Sequence, residues 1–294
     1  MIRSITLVSL FTAAAGLLCA CGSSAQDEAI AATSEIVRVA EARWGPLNPA
    51  RGDDGPQAGA LWGDRTVTGP SGFLVRFSDG FSSPPHIHNI SYRGIVIRGS
   101  LHNDDPAAAK MWLSPGSFWT QPAGEAHITA AAGADNLAYV EIERGPYLVL
   151  PVDESAETGE RAVNVDRSNL VWVDGTSLDW IDGAGAPTAR NRPAIAFLWG
   201  KPQAGELHGT LVKLPANFNG SIRNHEPGLR GVVIAGSPRV GPAGTTAMET
   251  LDPGSYFGAQ MPAVHRIVGD EQGETLVYVR TVGRFDVVPA ASGQ

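Results

Sequence analysis

The chain has 294 residues, 43% of them hydrophobic, enough for one large core or two ordinary ones. Its 22 Lys and Arg stand against 30 Asp and Glu, and it has no basic run and no interleaved basic and aromatic patch, which argues against a nucleic-acid partner. With 35 Gly, 21 Pro and few apolar stretches of helical period, the composition favours short strands joined by turns.

The N-terminus stands apart. "MIRSITLVSLFTAAAGLLCAC" sets one early Arg before an apolar run too short for an ordinary spanning helix. Its end, Leu18-Cys19-Ala20-Cys21, resembles a bacterial lipobox. The resemblance implies a signal peptide over residues 1–20 and a lipid on Cys21; a plain secretory signal cut nearby is the alternative. Cys19 would leave with the signal, so the mature chain would carry no disulfide despite an oxidising compartment. Gly22 implies, by the same resemblance, the periplasmic face of the outer membrane where the host has one, with the lipid as the sole membrane contact. Removing residues 1–20 leaves 21 basic against 30 acidic residues, a balance of −9. Residues 21–33 have the composition of a flexible tether.

From residue 34 the signal is β. "GDDG" at 52–55 is a turn, and "GFLVRF", "GIVIRGSL", "LAYVEIE" and "YLVLPV" are short runs rich in Val, Ile and aromatics, spaced by Gly, Pro, Asn and Asp. The chain also repeats itself. "LWG" at 61–63 returns at 198–200, and "RGIVIRGS" at 93–100 returns as "RGVVIAGS" at 230–237, both 137 residues on. "LSPGSFW" at 113–119 returns as "LDPGSYF" 138 residues on, which sets His127 against His265. Three blocks at nearly constant offset predict a duplicated domain, residues 34–152 and 153–294, joined by the polar "PVDESAETGERA". Each copy is expected to be two packed antiparallel sheets or a jelly-roll barrel.

The first copy carries "GFSSPPHIHNISYRGIVIRG". Gly80 is followed after five residues by His86, then His88, Tyr92 and Gly99; downstream, Gly116, Pro122, Gly124 and His127 follow at matching intervals. These spacings resemble the two-part signature of the cupin superfamily, with Tyr92 where the pattern has Glu and Ala131 where it has Asn. The duplicated arrangement also resembles a family of secreted bacterial double cupins of undefined function. The resemblance implies an all-β fold of two tandem jelly-roll barrels and leaves the reaction open.

On a strand, residues i and i+2 share a face, so His86 and His88 can both point inward, and His127 can return from a neighbouring strand. Three imidazoles make an open site for one divalent ion, and Fe, Zn, Mn and Ni all suit it. Without a carboxylate ligand such a site favours anionic ligands. Tyr92 is the candidate catalytic residue, as a phenolate ligand or a donor to a bound ligand; the alternative is an aromatic wall residue whose hydroxyl meets water. Glu125 lies on the Pro-x-Gly turn, and His102 precedes "NDDP"; both are expected to be solvated. In the second copy, counting back from "RGVVI" sets Arg223, His225 and Leu229 where His86, His88 and Tyr92 stand. Arg223, His225 and His265 then form a degenerate pocket in which a fixed cation excludes metal; it is structural, or it binds an anion through Arg223 and the two histidines.

No phosphate-binding GxxxxGK[ST] loop, GxSxG elbow or HExxH helix is present. Three functions are compatible with the sequence. One is a metal-dependent enzyme on a small anionic or enolisable molecule; resemblance to cupin dioxygenases implies oxidative cleavage with Fe(II), while other metals suit lyase, isomerase or hydrolase chemistry. The others are a periplasmic small-ligand or metal-sensing module, and a scaffold whose second barrel serves homodimer contacts.

Overall fold

The computed structural model describes residues 34–182 and 192–290. The expected signal peptide over 1–20, the expected lipidation site Cys21 and the expected tether to 33 lie outside them. Among the described residues, four short 3-10 helices interrupt an otherwise β fold. The strands of its first half are β1 (Ser34–Val37), β2 (Arg43–Pro46), β3 (Gln57–Trp62), β4 (Ser71–Phe77), β5 (Ile87–His88), β6 (Tyr92–Asp104), β7 (Phe118–Gln121), β8 (Ile128–Ile142), β9 (Val149–Leu150) and β10 (Val163–Val165). Those of the second are β11 (Val173–Asp174), β12 (Ala194–Gly200), β13 (Leu207–Leu214), β14 (Asn219–Asn224), β15 (Leu229–Ala235) and β16 (Arg239–Pro242). The chain ends with β17 (Glu249–Thr250), β18 (Tyr256–Ala259), β19 (Val264–Val268), β20 (Thr275–Val282) and β21 (Phe285–Pro289).

Two seven-stranded antiparallel sheets share one strand order, β10-β7-β6-β8-β4-β3-β2 and β1-β18-β15-β20-β13-β12-β11. The matching strands are those the repeated blocks fall on. Their edges cross the expected domain join. β1, at the start of the first copy, pairs with β18, while β10, beyond residue 153, pairs with β7. A five-stranded sheet, β17-β16-β19-β14-β21, and the pair β5-β9 complete the fold.

These strands are buried on both faces, so they read as continuous apolar runs. Along β4, Phe73 and Val75 enter one core with Tyr92, Trp119 and Val140, while Leu74 enters another shared with Val232 and Tyr278 of the second half. Each such side chain contributes roughly 1.5–3 kcal/mol when fully buried. The repeated blocks have a packing reason. A Cβ on Gly94 of "RGIVI" would lie 2.2 Å from the Trp119 ring, and one on Gly231 of "RGVVI" 2.4 Å from Phe257. Each glycine makes room for the aromatic residue of the "PGS" block on the adjacent strand.

Between the halves, equivalent positions carry opposite charges. Glu141 and Arg280 approach at 3.8 Å, and Glu141 accepts hydrogen bonds from the Tyr139 and Tyr278 hydroxyls at 3.0 and 2.8 Å. Burial nevertheless raises the Glu141 pKa, against the pull of Arg280.

Candidate metal centre

The backbone brings the sequence-distant halves of the site edge to edge. His86 and His127 face each other in an isolated antiparallel bridge, and Gly124 N donates to the His88 carbonyl at 2.8 Å. Ring centroids of His86 and His127 are 4.3 Å apart, those of His86 and His88 5.0 Å, and those of His88 and His127 5.1 Å. One ring nitrogen of each lies within 4.8 Å of those of the other two, so the three could hold a metal ion. His88 and His127 are buried, and His86 is half-buried.

One device orients all three rings. His86 Nδ1 lies 3.0 Å from the Pro84 carbonyl, His88 Nδ1 2.8 Å from Leu148 O, and His127 Nδ1 3.2 Å from Glu125 O. A carbonyl only accepts, so each Nδ1 carries the hydrogen and each Nε2 is left as a lone pair. Outer partners of this kind fix the tautomer of metal-ligating imidazoles. Burial also keeps the rings neutral. It lowers the His86 pKa, with a smaller push from the Arg51 charge, and holds His88 well below the usual imidazole range, with His127 and His86 adding to it. His127 is lowered to about 3, by burial first and His86 second. Neutral imidazoles with an unprotonated Nε2 are the donors a divalent ion needs, and no proton has to leave on binding.

His86 and His88 open onto a cavity of about 80 Å³ with apolar walls that include Val75, Phe77, Phe81 and Val149. Among its lining residues Arg51 is the one fixed charge, and no Asp or Glu takes part. Glu125 is not in the lining; its main-chain oxygen serves the site instead, and burial raises its carboxyl pKa.

Tyr92 lines the cavity. It is 4% exposed, and its hydroxyl donates to Asn103 Oδ1 at 2.8 Å, with His127 Nε2 farther away at 3.4 Å. Asn103 Oδ1 also accepts from Thr129 Oγ1 at 2.8 Å, Asn103 Nδ2 donates to Gln121 Oε1 at 2.8 Å, and Gln121 Nε2 donates to Glu125 O at 3.1 Å. This buried chain ends on the carbonyl that orients His127. Sequence spacing gave no sign of Asn103 or Gln121.

It also missed Tyr147, whose hydroxyl donates to His88 Nε2 at 3.0 Å while its ring stacks on the imidazole. An aromatic residue heading the apolar run "YLVLPV" was the one available hint.

His102 is a correction. It is buried, because β6 runs on to Asp104 and residues 111–113 fold back over it, with its Nδ1 3.3 Å from Met111 O. It remains outside the cavity lining.

The degenerate pocket is a second correction: Arg223, His225 and His265 do not converge. Arg223 lies on the exposed face of β14, and His225, one residue beyond the strand's end, is exposed too and pairs with Asp286 at 2.7 Å. Ile222, not Arg223, stands opposite His265, as His86 stands opposite His127. One extra residue between β14 and β15 shifts the count, so Ile222 and Asn224 occupy the places of His86 and His88. Ile222, Leu229 and Phe257 pack into a continuous apolar core there.

A family model described as "Domain of unknown function (DUF4437)" matches residues 35–288. No curated protein matches the chain in sequence. Among solved structures, a proposed dioxygenase of Nostoc punctiforme PCC 73102 is similar at 16% identity and TM-score 0.60, over 89% of this chain and 88% of that one. Quercetin 2,3-dioxygenase of Acinetobacter baumannii matches at 14% identity and TM-score 0.52, over 87% and 81%. Oxalate decarboxylase of Lactobacillus farciminis matches at 9% and 0.53, over 88% of each. These likenesses establish a cupin-type fold.

Proposed function

The chain belongs to the DUF4437 family, and from that footing we propose that it is a metal-dependent bicupin enzyme, of dioxygenase, lyase or isomerase type, acting on a small organic anion. The observation that carries the reading is the three-histidine cluster, one ring nitrogen of each within 4.8 Å of the other two, with each Nδ1 set against a backbone carbonyl so that Nε2 is the unprotonated nitrogen. His86, His88 and His127 would hold the ion, which when bound supplies Lewis acidity toward an anionic oxygen. Arg51, the fixed positive charge among apolar lining residues, supports an anionic ligand.

The layout we propose is two barrels, 34–152 and 153–294, with β1 and β10 exchanged between them; the shared sheet order supports it. The first barrel carries the site and the second is structural, in keeping with its filled core. We further propose an exported lipoprotein held by Cys21, on the lipobox resemblance. Cys21→Ala should release the protein from the membrane fraction, and retention there would refute the anchor.

The function is tested by elemental analysis of protein purified without a polyhistidine tag, followed by a turnover screen of small carboxylates and diketones. Stoichiometric metal, and turnover weakened in Arg51→Ala through KM, are expected. Metal without turnover of any anion would point to the binding or sensing module.

A further inference from the structure

We propose that Tyr147 is the side chain that contacts whatever small anion binds at the three-histidine centre, an inference that rests on the metal reading above. It follows from the fate of one hydrogen. The Tyr147 hydroxyl donates to His88 Nε2 at 3.0 Å, and His88 Nδ1 is already committed to Leu148 O. The bond therefore occupies the lone pair an ion would take. When the ion takes it, the Tyr147 hydrogen loses its acceptor inside a buried site, where an unpaired donor is costly.

The tyrosine is not free to swing away. Asn89, beside His88, brackets it on both sides: its Oδ1 accepts from Leu148 N at 2.9 Å, and its Nδ2 donates to Pro146 O at 2.9 Å. The pair β5-β9 adds His88 opposite Val149, and the Tyr147 ring lies 4.3 Å from the His88 ring. The hydroxyl thus stays next to the coordination sphere and lines the cavity. The acceptor that restores its bond is an anionic oxygen on the bound ligand. Tyr92 does not share this predicament, because Asn103 keeps its hydrogen.

The test uses cobalt(II) as the metal and acetate as the anion. Metal affinity is read by chelator competition, and acetate affinity by the visible spectrum of the cobalt protein. In Tyr147→Phe the metal-free site loses the bond that competes with the ion, so cobalt affinity should rise about two- to tenfold. Acetate affinity should fall by about tenfold, because the lost bond is to a charged acceptor. A merely structural tyrosine would shift both affinities in one direction or neither, and that result overturns the inference. A ferric charge-transfer band present in the wild type and lost in Tyr147→Phe would make the tyrosine a ligand itself and also overturn it. A wild-type protein that takes up no cobalt overturns the metal reading, and this inference with it.

Discussion

Replacing His127 by Ala separates the ligand role of this residue from its packing role. In wild-type protein freed of metal by chelation, adding zinc to about 100 times its Kd should stabilise the fold by about 2.7 kcal/mol, since the ion binds the assembled site and not the unfolded chain. At about 2–4 °C per kcal/mol for a unit of this size, the melting temperature should rise by roughly 5–10 °C. His127→Ala leaves two imidazoles and should lose nearly all of that rise. The metal-free variant should still fold. Glu125 O, which loses the His127 bond, still accepts from Gln121 Nε2, and the Tyr92 hydroxyl still donates to Asn103. No buried polar group is orphaned, so the cost is mainly lost packing, about 1–3 kcal/mol.

Differential scanning fluorimetry with and without zinc reads both quantities. His265→Ala is the matched control: a buried histidine at the equivalent turn of the second half, facing Ile222 rather than two imidazoles. It should keep the full metal-dependent rise. A zinc shift that survives His127→Ala, or vanishes in His265→Ala, refutes the assignment.

Two further expectations concern stability. Burial lowers the His265 pKa to about 4, below the roughly 6.5 of an unfolded chain. Between those values the unfolded chain binds a proton that the folded chain refuses, so stability falls as pH drops through the window, by about 2 kcal/mol at pH 5; urea melts at pH 7.5 and 5 should show that dependence reduced by this amount in His265→Phe, and an unchanged pH slope counts against it. At the contact between the halves, Arg280→Met should cost about 2–4 kcal/mol by stripping the cation from buried Glu141, and adding Glu141→Leu should recover much of the loss; strictly additive losses in the double variant would show that the pair is not coupled.

The signals that were legible in the sequence were local. The β character and the duplicated blocks depend on short runs, and the HxH pair with the Pro-x-Gly turn depends on spacings that the strand period and one hairpin return make spatial. What escaped depends on chain segments meeting from afar. Tyr147 reaches His88 only because β9 returns to β5, and no pattern within either segment requires it. His102 precedes "NDDP", a sound turn signal, yet the turn begins only after β6 has carried the residue under Met111. The pairings of β1 with β18 and of β10 with β7 are made at sheet edges, which a repeat offset does not encode.

The register of the second copy shows the same limit at the scale of one residue. Counting back from "RGVVI" without a gap put Arg223 in a ligand's place, and a slip of one on a strand turns every side chain to the other face. The ladder decides otherwise, with Ile222 opposite His265 and Arg223 opposite Val264. This predicts how a metal site could be rebuilt there. In a His127→Ala background, Arg223→His restores the pattern as counted but points its imidazole outward, and should add no cobalt binding. Ile222→His with Asn224→His places two imidazoles on the inner face beside His265. That pair should bind cobalt, though weakly. Asn224 now accepts from Ala263 N and donates to Glu226 O, bonds its replacement gives up, and the second-copy rings lack the carbonyl partners that orient His86 and His88. Chelator competition on the two variants distinguishes the registers. Binding by the Arg223→His protein, or none by the double replacement, would mean that the strand is set as the sequence count had it and that a single charge, rather than repacking, keeps metal from the second half.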